Sequence, residues 1–151
     1  LRAMLELKWS LMDRGIADGR FHVQPGAAEL VTRLAARVPL GLYSGTIGAT
    51  VRPMLEKIGL LEYFRAIVTG DQVKRMKPDP EGYLRVAEML GVEPRACAVI
   101  EDTPTGARSA KTAGMYLICV GHTAPMELLR DPGLGADVVV ERIAGLEVPG
   151  L

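Results

Sequence analysis

The feature that most constrains this chain is an alternation. Short apolar runs at Leu40–Tyr43, Ala66–Thr69, Cys97–Ile100, Tyr116–Val120 and Asp137–Val140 are separated by stretches whose apolar residues recur at helical spacing. A run of four or five β-favouring residues bounded by glycine, serine or aspartate reads as a buried strand. Strands that alternate with helices form βαβ units, and these give a parallel sheet flanked by helices on both faces. The expected fold class is therefore α/β, and 151 residues are enough for one sizeable core.

The helices between the strands carry their own start and stop signals. Residues 1 to about 15 place Met4, Leu5, Leu7, Leu11 and Met12 at near-helical spacing. A second helix is expected from Gly26 to about Arg37, with Leu30, Val31 and Leu34 on its apolar face. A third runs to Ile58, with Pro53 expected to kink it or to mark a later start. Asp79–Pro80 opens a fourth, which ends before Gly91. Thr103 and Pro104 open a fifth that stops at Gly114, and Pro125 to Arg130 is a short sixth.

Composition narrows the partners. Eighteen basic residues balance eighteen acidic ones, which gives no electrostatic reason to expect nucleic acid or an anionic membrane. No apolar stretch approaches the length of a membrane span, and no signal peptide is visible. Cys97 and Cys119 match no metal spacing and read as buried reduced thiols, which fits a cytoplasmic setting.

Three chemical groups follow three of the strands. Ser44–Gly45–Thr46 stands at a strand-to-helix junction, where hydroxyls and free backbone N–H groups can hold a phosphate. Alone, it reads as readily as a helix cap. Lys77 lies in the stiff loop KRMKPDP and can neutralise a phosphoryl oxygen; alone, it reads as a solvated surface lysine. Glu101–Asp102 ends a third run, and two adjacent carboxylates in apolar surroundings repel unless a cation joins them. A hard divalent ion such as Mg²⁺ resolves that repulsion, although both acids could instead serve a helix N-terminus. Parallel strands bring all three groups to one edge of the sheet, in the composition a phosphate-plus-magnesium site needs.

From about Pro25 to Val140 the sequence resembles the haloacid dehalogenase superfamily, in its small phosphatase and phosphoglucomutase-like branch. The matching motifs are Ser44 in LYSGT, Lys77 in KRMKPDP, and Glu101–Asp102 in VIEDTPTGARSAKTAGM. The resemblance implies a Rossmann-like core over residues 23–151 and a remnant of a helical cap over residues 1–22. It implies a Mg²⁺-dependent phosphatase that acts through an aspartyl-phosphate on a small phosphorylated metabolite. Ser44, Gly45, Thr46 and Lys77 would bind the phosphate, and Asp102 and Glu101 would hold the metal.

One motif of the family is missing. Its nucleophile is the first aspartate of a D-x-D pair on a central first strand, and none of the seven aspartates here stands two residues before another. The expectation is an N-terminally truncated chain that lacks the central strand and is inactive alone. Its unpaired strand edges would destabilise it, or promote self-association or capture of a strand from elsewhere. The alternatives are a non-catalytic phosphate- or Mg²⁺-binding module and a phosphomutase of the same family. A nucleotide-binding domain ranks last, because Gly45–Thr46–Ile47–Gly48 offers only G-x-x-G. His122, Arg52, Trp9 and Met12 receive no role.

Overall fold

The computed structural model describes residues 23–150. The helix expected over residues 1–15 and the cap remnant therefore lie outside the described residues. Within them the elements run α1 (Ala27–Ala35), β1 (Leu40–Ser44), α2 (Gly48–Lys57), β2 (Phe64–Thr69), α3 (Glu81–Leu90), β3 (Ala98–Glu101), α4 (Pro104–Thr112), β4 (Tyr116–Val120), α5 (Met126–Leu129) and β5 (Val138–Val140). Every pairing is parallel. The fold is the α/β arrangement that the alternation requires.

The strands do not form one sheet. β1 pairs with β2, and β3–β4–β5 form a second, separate sheet. Helices join the two. On one face α1 turns Leu30 and Leu34 toward Leu40, Ile100, Ile118 and Val138, while Ala28 and Val31 meet Val51, Leu42 and Ile67. On the other face one cluster takes Tyr43, Ala66 and Val68 from the first sheet and Val99, Leu117 and Cys119 from the second. Tyr83, Val86 and Ala87 of α3 and Ala107 and Ala110 of α4 complete it. The apolar core is thus continuous across a break in the hydrogen-bonded ladder.

Local signals explain most boundaries. Thr103 caps α4 by accepting the Gly106 N–H, and Gly114 adopts φ +77° beyond its end. α2 runs through Pro53, so the proline loses one helical rung without delaying the start. α3 begins at Glu81, one residue later than Asp79–Pro80 suggests, although the Asp79 carboxylate still accepts the Glu81 N–H at 2.9 Å. β3 runs one residue beyond the expected end, so Glu101 is itself the last strand residue, opposite Cys119. Both cysteines are free; Cys119 is buried as expected, whereas Cys97, just before β3, is only half-buried. No described helix is long and apolar enough to cross a membrane.

Candidate active site

Because the strands are parallel, the C-terminal ends of β1, β2 and β3 open toward one edge, and each carries polar residues there. At the end of β1 the Ser44 hydroxyl accepts the Thr46 N–H at 3.1 Å. Its own proton is donated to no group among the described residues. The cap reading of Ser44 and Thr46 fails. Ile47 stands at the N-cap of α2 with no side-chain cap, and Asp71 accepts the Gly48 N–H at 2.9 Å instead.

The loop after β2 buttresses Ser44–Gly45–Thr46 from below. Gly70 donates to the Thr46 carbonyl at 2.9 Å. A Cβ at Gly70 would sit 2.3 Å from the Gly45 oxygen, so only glycine allows this approach. Asp71 also takes the Thr69 hydroxyl at 2.7 Å, and the hydroxyl and the Gly48 N–H hold its carboxyl below the usual range.

Lys77 is carried by a loop tied at both ends. Glu81 accepts the N–H groups of Lys74 and Arg75 at 2.8 and 3.1 Å, and Arg75 bridges to Asp79 at 3.2 Å. From α4, the Ser109 hydroxyl donates to the Asp79 carbonyl at 2.7 Å. The ammonium lies 4.9 Å from the centre of the Tyr43 ring and 5.0 Å from that of Tyr83, within cation–π range of both. It forms an ion pair with Glu101 Oε1, which links the loop after β2 to the end of β3. Lys77 is therefore no solvated surface lysine: its side chain is only 18 % exposed.

Glu101 and Asp102, adjacent in sequence, differ in surroundings. The Glu101 side chain is 6 % exposed. Its Oε1 accepts from Lys77 and from the Tyr83 hydroxyl, and its Oε2 from the Asp102 N–H, the Thr103 N–H and the Thr103 hydroxyl. Burial pushes this carboxyl up, but the Lys77 charge and the hydrogen bonds from Lys77, Tyr83 and Thr103 outweigh it and hold it below the ordinary value. A Cβ at Gly106 would lie 2.0 Å from the carboxyl carbon, so that glycine makes the cradle. Both acids line an open cavity of about 150 Å³ with Gln24, His122, Ile100, Val120 and Ile143, but Asp102 is far less fully hydrogen-bonded than Glu101. Its Oδ2 accepts the Thr123 hydroxyl, while Oδ1 accepts no hydrogen bond among the described residues. One free carboxylate oxygen at a cavity rim suits a hard cation that keeps part of its water shell. No group of three metal-ligating side chains occurs among the described residues, so further ligands would have to come from elsewhere.

The structure thus joins Lys77, Glu101 and Asp102, and sets Ser44 one residue from the Tyr43 ring that faces Lys77. The sequence reading did not find Tyr43, Tyr83, Asp71, Glu81 or Thr123. Only the Thr69–Gln72 spacing of a capping box hinted at the Asp71 turn. His122 hydrogen-bonds Gln24 at 2.8 Å on the cavity rim. Arg52 lies within α2.

Comparison with known proteins identifies the family. The haloacid dehalogenase-like hydrolase profile matches residues 11–114. The chain is 35 % identical over 125 residues to validoxylamine A 7′-phosphate phosphatase of Streptomyces hygroscopicus subsp. limoneus, covering 82 % of this chain and 57 % of that protein. It is 36 % identical over 123 residues to β-phosphoglucomutase of Bacillus subtilis, covering 81 % and 50 %. The crystal structure of CbbY from Rhodobacter sphaeroides in complex with phosphate superposes with a TM-score of 0.76 at 28 % identity, covering 88 % of this chain and 60 % of that one. The chain spans about half the length of the curated relatives it matches. It belongs to the haloacid dehalogenase-like hydrolases, in the branch that holds β-phosphoglucomutase and the sugar phosphatases.

Proposed function

We propose that this edge binds the phosphoryl group of a small phosphorylated metabolite and supports its Mg²⁺-dependent hydrolysis. The observation that carries the reading is the placement of Lys77. It is a charged ammonium held at the junction of two sheets, beside the Ser44 loop and one residue pair away from the open carboxylate of Asp102. The Ser44 hydroxyl and the Gly45 N–H would donate to phosphoryl oxygens, and Lys77 would offset the charge that grows on them during transfer. Asp102 would hold Mg²⁺ through its free oxygen, and Glu101, placed with it on the metal by the family resemblance, would act chiefly by holding Lys77. Mg²⁺ would supply further neutralisation of the phosphoryl oxygens when bound.

The attacking carboxylate must come from a D-x-D pair that these 151 residues do not contain. Its oxygen would bond to phosphorus as the ester oxygen leaves with a proton from the second aspartate, and water would then cleave the acyl-phosphate. The break between β1 and β3 supports a strand as the carrier of that pair, and the chain alone would be inactive. Without such a strand, the same open edges favour self-association. A phosphomutase is the second reading, since β-phosphoglucomutase stands among the relatives alongside the phosphatases.

The test supplies the chain with Mg²⁺, a panel of hexose phosphates and a synthetic apolar strand peptide ending in D-x-D. Phosphate release that needs the intact peptide and is lost in Asp102→Asn supports the reading. Release by the chain alone, unchanged in Asp102→Asn and Lys77→Met, contradicts it. Saturable phosphate binding with no turnover under any condition favours the binding-module alternative.

A further inference from the structure

Two tyrosines flank Lys77, and they are not equivalent. Their rings meet edge to face at 5.2 Å, and each lies about the same distance from the ammonium. The Tyr43 hydroxyl is buried and makes no hydrogen bond of normal geometry among the described residues, although it approaches the Lys77 backbone and not its ammonium or Glu101. Its ring fills the space left by Gly82, where a Cβ would come within 2.2 Å of it. The Tyr83 hydroxyl donates to Glu101 Oε1 at 2.6 Å, the same oxygen that receives Lys77.

Glu101 divides its donors between its two oxygens. The remaining three donors, Asp102 N–H and the two groups of Thr103, all bind Oε2. They fix Oε2 to the first turn of α4, and Oε1, coplanar with it, is left to Lys77 and Tyr83. Without Tyr83, Oε1 would have the flexible lysine as its only donor, and the lysine is the group whose place has to be defined. Tyr83 removes this circularity. It comes from α3, where Tyr83 is 8 % exposed and packs with Val86 and Ala87. A short hydrogen bond from a rigid phenol to a carboxylate is among the stronger neutral-donor bonds, and burial strengthens it.

We propose that Tyr83 is a positioning residue for Lys77, acting through Glu101, and that Tyr43 supplies only a ring wall. The inference rests on the reading of Lys77 as the phosphoryl-binding cation, but its test reads the placement of the lysine and not turnover. A failed phosphatase assay would therefore leave it standing.

The experiment is competitive labelling of the 151-residue chain with an amine-reactive ester, followed by peptide mass spectrometry. Labelling at Lys77 is divided by labelling at Lys111, which lies in the last turn of α4 and is ion-paired to Asp137 at 2.9 Å. General loosening raises both lysines, whereas specific release raises the ratio. In Tyr83→Phe the ratio is expected to rise roughly tenfold, the population equivalent of one hydrogen bond to a charged group. In Tyr43→Phe it is expected to stay at the wild-type value. Glu101→Gln, which keeps the shape and removes the charge, is expected to release Lys77 at least as far as Tyr83→Phe does. An unchanged ratio in Tyr83→Phe beside a raised one in Glu101→Gln would overturn the proposal, leaving Glu101 as the holder without help. So would an equal rise in both phenylalanine variants. Should Tyr83→Phe unfold the chain, Thr103→Val becomes the second probe: it removes the hydroxyl donor from Oε2 together with the cap of α4, and the Lys111 label at the end of that helix reports the loss of the cap. A rise in Thr103→Val as large as that in Glu101→Gln would show that Oε2 alone orients the carboxylate and would likewise overturn it.

Discussion

The two sheets present the same kind of edge and hold it in opposite ways. At the end of β1–β2, order comes from backbone groups: Gly70 to Thr46, Gly48 to Asp71, and a glycine too close to its neighbour to accept a side chain. The one charged residue involved, Asp71, is exposed. At the end of β3 the order comes from a buried charge pair, with Glu101 saturated by five donors. The first device is cheap to perturb, because water can replace a lost partner. The second fails steeply, since an unpaired charge in an apolar setting has no such substitute. The comparison explains why the phosphate-loop half can be short and glycine-rich, while the acid half is wrapped by α3 and α4.

The contrast can be broken most visibly at Lys77. Lys77→Met keeps the length of the stem but leaves Glu101 buried without its cation. The expected loss is about 3 kcal/mol of unfolding free energy by urea titration. Gly70→Ala comes next, because the added methyl meets Gly45 backbone and not a yielding side chain; about 2 kcal/mol is expected in the same titration. Asp71→Ala removes an exposed cap that water can partly replace, and should lower stability by less than about 1 kcal/mol. If Asp71→Ala proved as damaging as Lys77→Met, the distinction between the two halves would collapse.

Acid gives the smallest and most gradual probe. Asp71 is held below its ordinary pKa by the Thr69 hydroxyl and the Gly48 N–H, and Asp137 by the Leu117 N–H and then by Lys111. A carboxyl depressed on folding contributes stability above its unfolded pKa and loses it as pH falls through the folded value. Stability should therefore decline as pH drops below about 4, the range of free aspartate. Asp71→Asn should flatten the part of that decline that belongs to the first sheet, as read by urea midpoints across pH.

Much of the fold was legible because its signals are local. Thr103, Pro104 and Gly114 mark α4 within a dozen residues, and the five apolar runs mark the strands. The break into two sheets was foreseeable only from the family resemblance, which places a missing strand between β1 and β3. The candidate site was legible as residue types but not as roles. Ser44 or Thr46 looked like a cap for α2, yet the cap is Asp71, 23 residues beyond Gly48. Glu101 and Asp102 looked like a matched pair and line one cavity, yet Glu101 is taken up by Lys77, Tyr83 and Thr103 while Asp102 keeps an oxygen open. Such assignments depend on contacts between elements 18 to 24 residues apart, and no local pattern encodes them.

The most direct test of the central claim is a titration of the ¹⁵N-labelled chain with inorganic phosphate, with and without Mg²⁺, followed by backbone amide shifts. One site spanning both sheets predicts that the amides of Gly45, Thr46, Lys77 and Asp102 move together on a single saturable curve, which Mg²⁺ shifts to lower phosphate concentration. Movement confined to one sheet, or a response at Asp102 independent of that at Gly45, would contradict it.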